Sequence, residues 1–188
     1  MSDLLATQRF EIVEPTDARI QPVLEDLVRE YDGRYGDLDG HSARDEVYRN
    51  LEVQYVVANR GAFVALFEGD EAIATGAIKH FDGDIAEFKK IWSHPDRRGQ
   101  RLASRLLARL EDEARALGYT LVYLTTGPRQ PEADRLYQHA GYTAHYDPEA
   151  FTVHPYTRAL VEGVDASVLP DLARAQLVDF HELVAHRD

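Results

Sequence analysis

The chain of 188 residues contains no cysteine. That removes disulfides, thiolate metal sites, iron–sulfur clusters and a thiol nucleophile together. No run approaches the roughly 20 apolar residues needed to span a bilayer. The opening MSDLLATQRF lacks the apolar stretch of a secretory leader, so a soluble, cytoplasmic protein with no membrane partner is expected. Neither GxGxxG nor GxxxxGK[ST] occurs, which leaves dinucleotide and P-loop readings without their glycines. The eight histidines show no HExxH or other close pairing, so no metal site is expected. Basic residues are scarce: 21 Lys plus Arg against 33 Asp plus Glu leave a net charge of -12. Such a chain repels a phosphate backbone, which argues against a nucleic-acid partner.

What remains is globular in composition, 44% hydrophobic and 29% charged, with no linker or repeat. Residues 9–14 alternate as a short strand. Thr16 is placed to cap a helix carrying Ile20, Val23, Leu24 and Leu27, which should fade near Gly33 into an open loop, YDGRYGDLDG. A second, shorter helix is expected over 42–51. Three β-type runs follow, 62–69, 71–81 and 84–93, separated by Gly69–Asp70 and Asp82–Gly83, and these read as consecutive antiparallel strands. A helix over 99–117 carries Leu102, Leu106, Leu107, Leu110, Ala114 and Leu117 on one stripe, and Gly118 closes it. Then come a buried strand (119–125), a helix from Pro131 to Gly141, and strand-like pieces near 142–147 and 156–162. The pattern is mixed α/β, an α+β arrangement with helices on both sides of the sheet.

Three segments carry chemistry. In SHPDRRGQRLASRLLARLEDEA (93–114) a strand ends, a loop with Pro95 and Gly99 follows, and a helix begins. Residues 97–109 hold five arginines, Arg97, Arg98, Arg101, Arg105 and Arg109, and no acid. Free amides at a helix N-terminus beside guanidinium groups make a phosphate cradle, although a glycine turn feeding an ordinary surface helix reads equally from composition. In TTGPRQPEADRLYQHAGYTA (125–144) Ala133, Leu136 and Ala140 face inward, with Tyr137 in the same region. In DIAEFKKIWS simple alternation puts Glu87, Lys89 and Ile91 on one face and Phe88, Lys90 and Trp92 on the other. A mid-strand glutamate needs a reason, such as a lysine partner or a role in catalysis.

In this order and spacing, these segments resemble the GNAT superfamily of acyl-coenzyme A-dependent N-acetyltransferases, over roughly residues 9–145 and most closely from Ala86 to Tyr142. The family pattern Arg/Gln-x-x-Gly-x-Gly/Ala reads here Arg98-Gly99-Gln100-Arg101-Leu102-Ala103, with Arg101 replacing a glycine. QPEADRLYQHAGY is similar to the family's Asn-x-x-Ala-x-x-Leu-Tyr-x-x-x-Gly-Phe helix, with Gln130 for the asparagine and Tyr142 for the phenylalanine. The resemblance implies a GNAT domain, a largely antiparallel sheet flanked by helices; the domain is expected over 1–163, with 164–188, from its own residue pattern, a C-terminal helical extension of the same domain. It implies acetyl-CoA as cosubstrate. Ile91, Trp92 and Ser93 would bind the pantetheine arm, the amides of Arg98, Gly99, Gln100, Arg101, Leu102, Ala103 and Ser104 the pyrophosphate, and Gln130 would belong to the coenzyme site. Glu87 matches a general base and Tyr137 the proton donor to the departing thiolate. A raised pKa would suit Glu87 to deprotonating an amine.

With no cysteine to carry the acyl group, transfer would be direct attack in a ternary complex. The first helices would shape the acceptor pocket, where Tyr31, Asp32, Tyr35, Asp37, Asp39, Asp45 and Glu46 suit a cationic small-molecule amine or stand as solvated loop charges. The alternative is a catalytically silent acyl-CoA-binding or regulatory domain. Pro170 precedes Leu172, Leu177, Phe180, Leu183 and Val184, an amphipathic helix that packs on its own domain or forms a homodimer.

Overall fold

The computed structural model describes residues 8–36, 42–97, 99–149 and 152–177. One seven-stranded sheet organises them, in the order β1-β2-β3-β4-β5-β7-β6. Its strands are β1 (Gln8–Val13), β2 (Ala62–Glu68), β3 (Glu71–Asp82), β4 (Ile85–Ser93), β5 (Leu121–Thr126), β6 (Thr143–Ala144) and β7 (His154–Ala159). Every pairing is antiparallel except β4 with β5. The helices are α1 (Gln21–Tyr35), α2 (Ala43–Tyr48), α3 (Leu51–Gln54), α4 (Leu102–Ala116) and α5 (Pro131–His139). The expected mixed α/β fold, largely antiparallel with helices on both faces, is what forms.

Period-two alternation sorts the sheet's side chains between two cores. On one face Val64, Leu66, Ile78 and Phe88 pack with the α4 leucines and with Tyr137 from α5. On the other, Phe63, Ala65 and Phe67 pack with Val23, Leu24 and Leu27 of α1 and Val47 of α2. Strand β2 is therefore covered on both faces, the reason it reads as an unbroken apolar run. Helix α4 lies close on β3: a Cβ added at Gly76 would come 2.6 Å from Leu110 Cδ1.

Several boundaries differ from expectation for local reasons. Thr16 caps nothing. Helix α1 starts four residues after the Asp17 turn, with Pro22 in its first turn, Ile20 at the N-cap and no side-chain cap. It also continues through Gly33 to Tyr35, and Gly36 at φ +62° ends it. Helix α4 begins at Leu102 instead of residue 99, because Gly99 and Arg101 both have positive φ. In the C-terminal segment residues 171–177 are helical, with Leu169 and Ala173 buried against Tyr123. Leu172, expected on the apolar stripe, instead faces outward. Phe180, Leu183 and Val184 lie outside the described residues.

Candidate active site

Strand β4 does not keep the alternation its sequence implies. Lys89 is registered with Ala77 of β3, but Trp92 is registered with Thr75, so Lys90 and Ile91 together oppose Gly76. Lys90 takes φ +54° at this bulge. The extra residue re-aims the side chains. Glu87, Lys89, Lys90 and Trp92 turn to the α1–α2 face, whereas Phe88 and Ile91 pack with the α4 core. The expected set of Glu87, Lys89 and Ile91 against Phe88, Lys90 and Trp92 is thus corrected: a bulge shifts the period by one.

The same strand splits the sheet. β4 pairs with β5 only from Ile85↔Leu121 to Phe88↔Leu124, although both strands run on beyond. The gap opens into a cleft of about 790 Å³. Its walls include Ile91, Trp92 and Ser93 from β4, Thr125 and Thr126 from β5, Ala103 from α4, and Tyr137 and Gln130 from the α5 segment. Backbone groups on the β4 edge past Phe88 have no β5 partner there, an edge that an extended polar chain can pair with.

At the cleft, helix α4 starts without a side-chain cap, Arg101 being its N-cap residue at φ +55°. Helix geometry leaves the first-turn amides of Leu102, Ala103 and Ser104 without intrahelical acceptors, and such a terminus favours an anion. Leu102 contributes only its backbone, since its side chain is in the core. Gln100 Oε1 accepts from Gln8 Nε2 at 3.2 Å. Arg98 lies outside the described residues. The arginine excess is smaller in space than in sequence. Arg97 pairs with Glu68 at 2.8 Å and Arg109 with Glu113 at 2.8 Å. Arg105 donates to Gln8 Oε1, and Arg101 is exposed with no ion pair among the described residues. Gln130 has a structural duty as well: its Oε1 accepts from Thr126 Oγ1 and from the Gly127 amide, holding the turn that starts α5.

Tyr137 and Glu87 occupy different surroundings. Tyr137 is 5% exposed, lines the cleft, and its hydroxyl has no hydrogen-bond partner among the described residues. Burial pushes its pKa up, so it keeps its proton across the neutral range. Glu87 is also 5% exposed but is not among the residues lining the cleft. Its carboxylate meets Lys79 at 2.8 Å and Lys89 at 3.5 Å. Burial alone would raise its pKa, yet the two lysines outweigh it and hold the group below the usual carboxylate range. The expectation of a raised pKa at Glu87 is corrected by that pairing.

The first helices do reach the cleft, through partly different residues from those expected. Tyr31 and Glu46 line it. Asp32 is exposed outside it, Asp45 closes a capping box with Ser42, and Asp37 and Asp39 lie outside the described residues. Asp26, Glu30 and Arg34, unremarked in the sequence, join the cleft wall. Their i, i+4, i+8 spacing on α1 runs a charged row along the edge of the stripe that buries Val23, Leu24 and Leu27, and that row was the available signal. Burial raises the Glu30 pKa by more than Arg34, 3.0 Å away, lowers it. Trp92 Nε1 donates to Asp26 at 2.8 Å. At its C-terminal end α1 is tied to the opposite wall. Arg34 pairs with Glu132 and donates to the Arg129 carbonyl, and Arg129 donates back to the Arg34 carbonyl.

A split sheet with an uncapped helix N-terminus at its mouth suits an extended, phosphate-bearing ligand. Residues 21–142 match the acetyltransferase (GNAT) family. The chain belongs to that family and is an N-acetyltransferase of it. It is 31% identical over 130 residues to the IAA acetyltransferase of Azospirillum brasilense, a match covering 67% of this chain and 80% of that one. It is 31% identical over 137 residues to the aminoalkylphosphonate N-acetyltransferase of Salmonella typhimurium, covering 71% and 82%. Its fold is similar to that of a GNAT-family acetyltransferase from Staphylococcus aureus, with a TM-score of 0.64 at 15% identity over 81% of this chain and 100% of that one. The yncA protein of Salmonella typhimurium, solved with its cofactor acetyl-CoA, gives a TM-score of 0.61 at 15% identity over 87% and 99%. Among the described residues no helix is long and apolar enough to cross a membrane.

Proposed function

We propose that this protein transfers an acetyl group from acetyl-CoA directly to the amine of a small molecule. The observation that carries the reading is the cleft between the diverging halves of β4 and β5, with the α4 N-terminus at one side and the unpartnered Tyr137 hydroxyl on its wall. The residues suit the coenzyme: a free strand edge fits an amide-bearing arm, and uncapped amides fit a pyrophosphate. When bound, acetyl-CoA supplies an acyl thioester whose thiol is the leaving group. The relatives' printed acceptors include an aminoalkylphosphonate, which supports a small molecule.

The residues then divide the proton work. Amides of β4 from Ile91 to Ser93 hold the arm, and those of Leu102, Ala103 and Ser104, with Gly99, Gln100 and Arg101 shaping the turn, hold the phosphates. Tyr137, kept protonated by burial, donates to the departing sulfur. An acceptor amine must lose a proton before it attacks. Glu30, on the cleft wall with a raised pKa, is the better acceptor of that proton, and Glu87, held down by two lysines, anchors the strand instead. Titration calorimetry with acetyl-CoA and with free coenzyme A, followed by thiol release across an amine panel, tests this reading. Micromolar binding with amine-dependent release is expected. Absence of binding at high micromolar concentration would overturn it, and binding without release from any amine would leave the silent-domain reading.

A further inference from the structure

Three lysines and two carboxylates meet on the α1–α2 side of β3 and β4. Lys79 and Lys89 share Glu87, and Lys89 also reaches Glu46 at 3.5 Å. Lys90 is the cation left over. Among the described residues no carboxylate lies within ion-pair distance of it. Its Nζ donates to the Glu46 carbonyl at 3.1 Å and lies 5.5 Å from the Tyr55 ring centroid. Lys90 is buried, at 5% exposed, whereas Lys79 and Lys89 are only partly buried. A buried ammonium is costly unless a counter-charge meets it. Yet the bulge places Lys90 among the residues of the cleft wall, with Glu46, whose carbonyl its ammonium meets, beside it there.

We propose that the acetyl acceptor is a small amine that also carries an anionic group, a carboxylate or a phosphonate, and that Lys90 receives that group. The assignment rests on the acetyl-transfer reading above. The side of the sheet separates this anion from the coenzyme's phosphates. Lys90 faces α2, whereas α4, whose N-terminus suits the pyrophosphate, packs on the opposite face. Burial, with Lys89 beside it, brings the Lys90 ammonium down to about 8, the direction a cation without a counter-ion takes. Glu46 and Glu87 pull the other way without reversing it. The acceptor is small because Arg34 ties the α1 wall to Glu132 on the α5 wall, bridging the cleft. Cleft-wall charge agrees with a dipolar ligand: Asp26, Glu30, Glu46 and Glu132 are set against Arg34, Lys89, Lys90 and Arg135.

The test compares matched amines at neutral pH: an amino acid with its methyl ester, and an aminoalkylphosphonate with the plain alkylamine of equal chain length. The ester's amine is less basic and more of it is neutral, so intrinsic reactivity works against the expected result. The acid-bearing member should exceed its partner in kcat/KM by about tenfold or more. Calorimetry of the same amines on the protein with free coenzyme A gives a reading independent of turnover and should show the same order. Whichever acid wins identifies the class of anion. Lys90→Met should bring both ratios toward one, and Lys90→Arg should keep a preference. Acetyl-CoA calorimetry reports whether each variant is folded, and the wild-type panel decides even if neither is. Equal or better use of the neutral amines, or a preference that survives in a folded Lys90→Met, would overturn the assignment while leaving acetyl transfer intact. Absence of acetyl-CoA binding and of release from every amine would overturn both.

Discussion

Lys79 Nζ lies 2.8 Å from Glu87 Oε2, and the two residues are direct register partners across β3 and β4. The pair explains a glutamate in mid-strand at 5% exposure: it neutralises Lys79 and, at 3.5 Å, Lys89. Glu87→Gln leaves both lysines short of their shared counter-charge and should cost about 2–3 kcal/mol, below the fully buried case because both lysines retain some solvent. The pH dependence has a definite sign. Because the folded pKa of Glu87 is depressed, its stabilisation is complete above the ordinary carboxylate value and is lost as pH falls through the lower folded value. Urea midpoints of wild type and Glu87→Gln should therefore differ at neutral pH and converge in acid. A constant gap would remove Glu87 from that role.

Arg101 occupies the left-handed region at φ +55°, where glycine fits without strain and an L-residue does so at about 1 kcal/mol or more. Arg101→Gly relieves that strain but loosens the unfolded chain by roughly 0.5–1 kcal/mol. The net effect should be neutral to slightly stabilising, read as an unchanged or raised thermal midpoint. Acetyl-CoA affinity should stay within a few-fold, since the first-turn amides carry the binding. A loss of a hundredfold or more would show that the guanidinium itself holds a phosphate.

Tyr137→Phe removes a proton donor and little packing, so kcat should fall by about a hundredfold while acetyl-CoA affinity holds. Full activity would reduce Tyr137 to a packing role. Glu30→Gln should lower kcat and abolish the acid limb of the pH profile. That limb arises as Glu30 takes up a proton on falling pH, and its raised pKa sets it above the usual carboxylate range. A retained limb would assign the proton to another group.

Gly127 has no room for a side chain, because an added Cβ would come 2.0 Å from the Tyr35 hydroxyl and 2.6 Å from its ring. Gly127→Ala should displace the end of α1 and loosen the tie between Arg34 and the α5 wall, at about 1–3 kcal/mol. The expected kinetic mark is a raised KM for the acceptor with acetyl-CoA binding preserved. A raised coenzyme Kd instead would show that the Tyr35–Gly127 contact supports the coenzyme's side of the cleft and not the acceptor's.

Much of the sheet was legible because its signals are local. The hairpin glycines Gly69 and Gly83, the period-two runs of β2 to β4 and the leucine stripe of α4 each act over a few residues, and the spacing of three segments carried the family resemblance. The site was less legible. Alternation through DIAEFKKIWS puts Lys90 on the wrong face because a bulge depends on the partner strand, here on Lys90 and Ile91 together opposing Gly76 of β3. The arginine cluster carries less free charge than its sequence implies, since Glu68, which neutralises Arg97, is distant in sequence and adjacent only after β2 and β4 assemble around β3. The same holds for Glu87, where the expected pKa took account of burial and not of Lys79.

By itself the sequence determined the elements, the antiparallel hairpins, the exclusion of thiol chemistry and the family, because each depends on residue type, period or spacing along one chain. Tertiary structure alone decided where β4 parts from β5, which charges are neutralised and which buried lysine of the cleft wall keeps no carboxylate within ion-pair distance among the described residues. Those follow from groups brought within a few ångströms by folding, where Coulomb attraction and desolvation are strong enough to set a group's charge and direction.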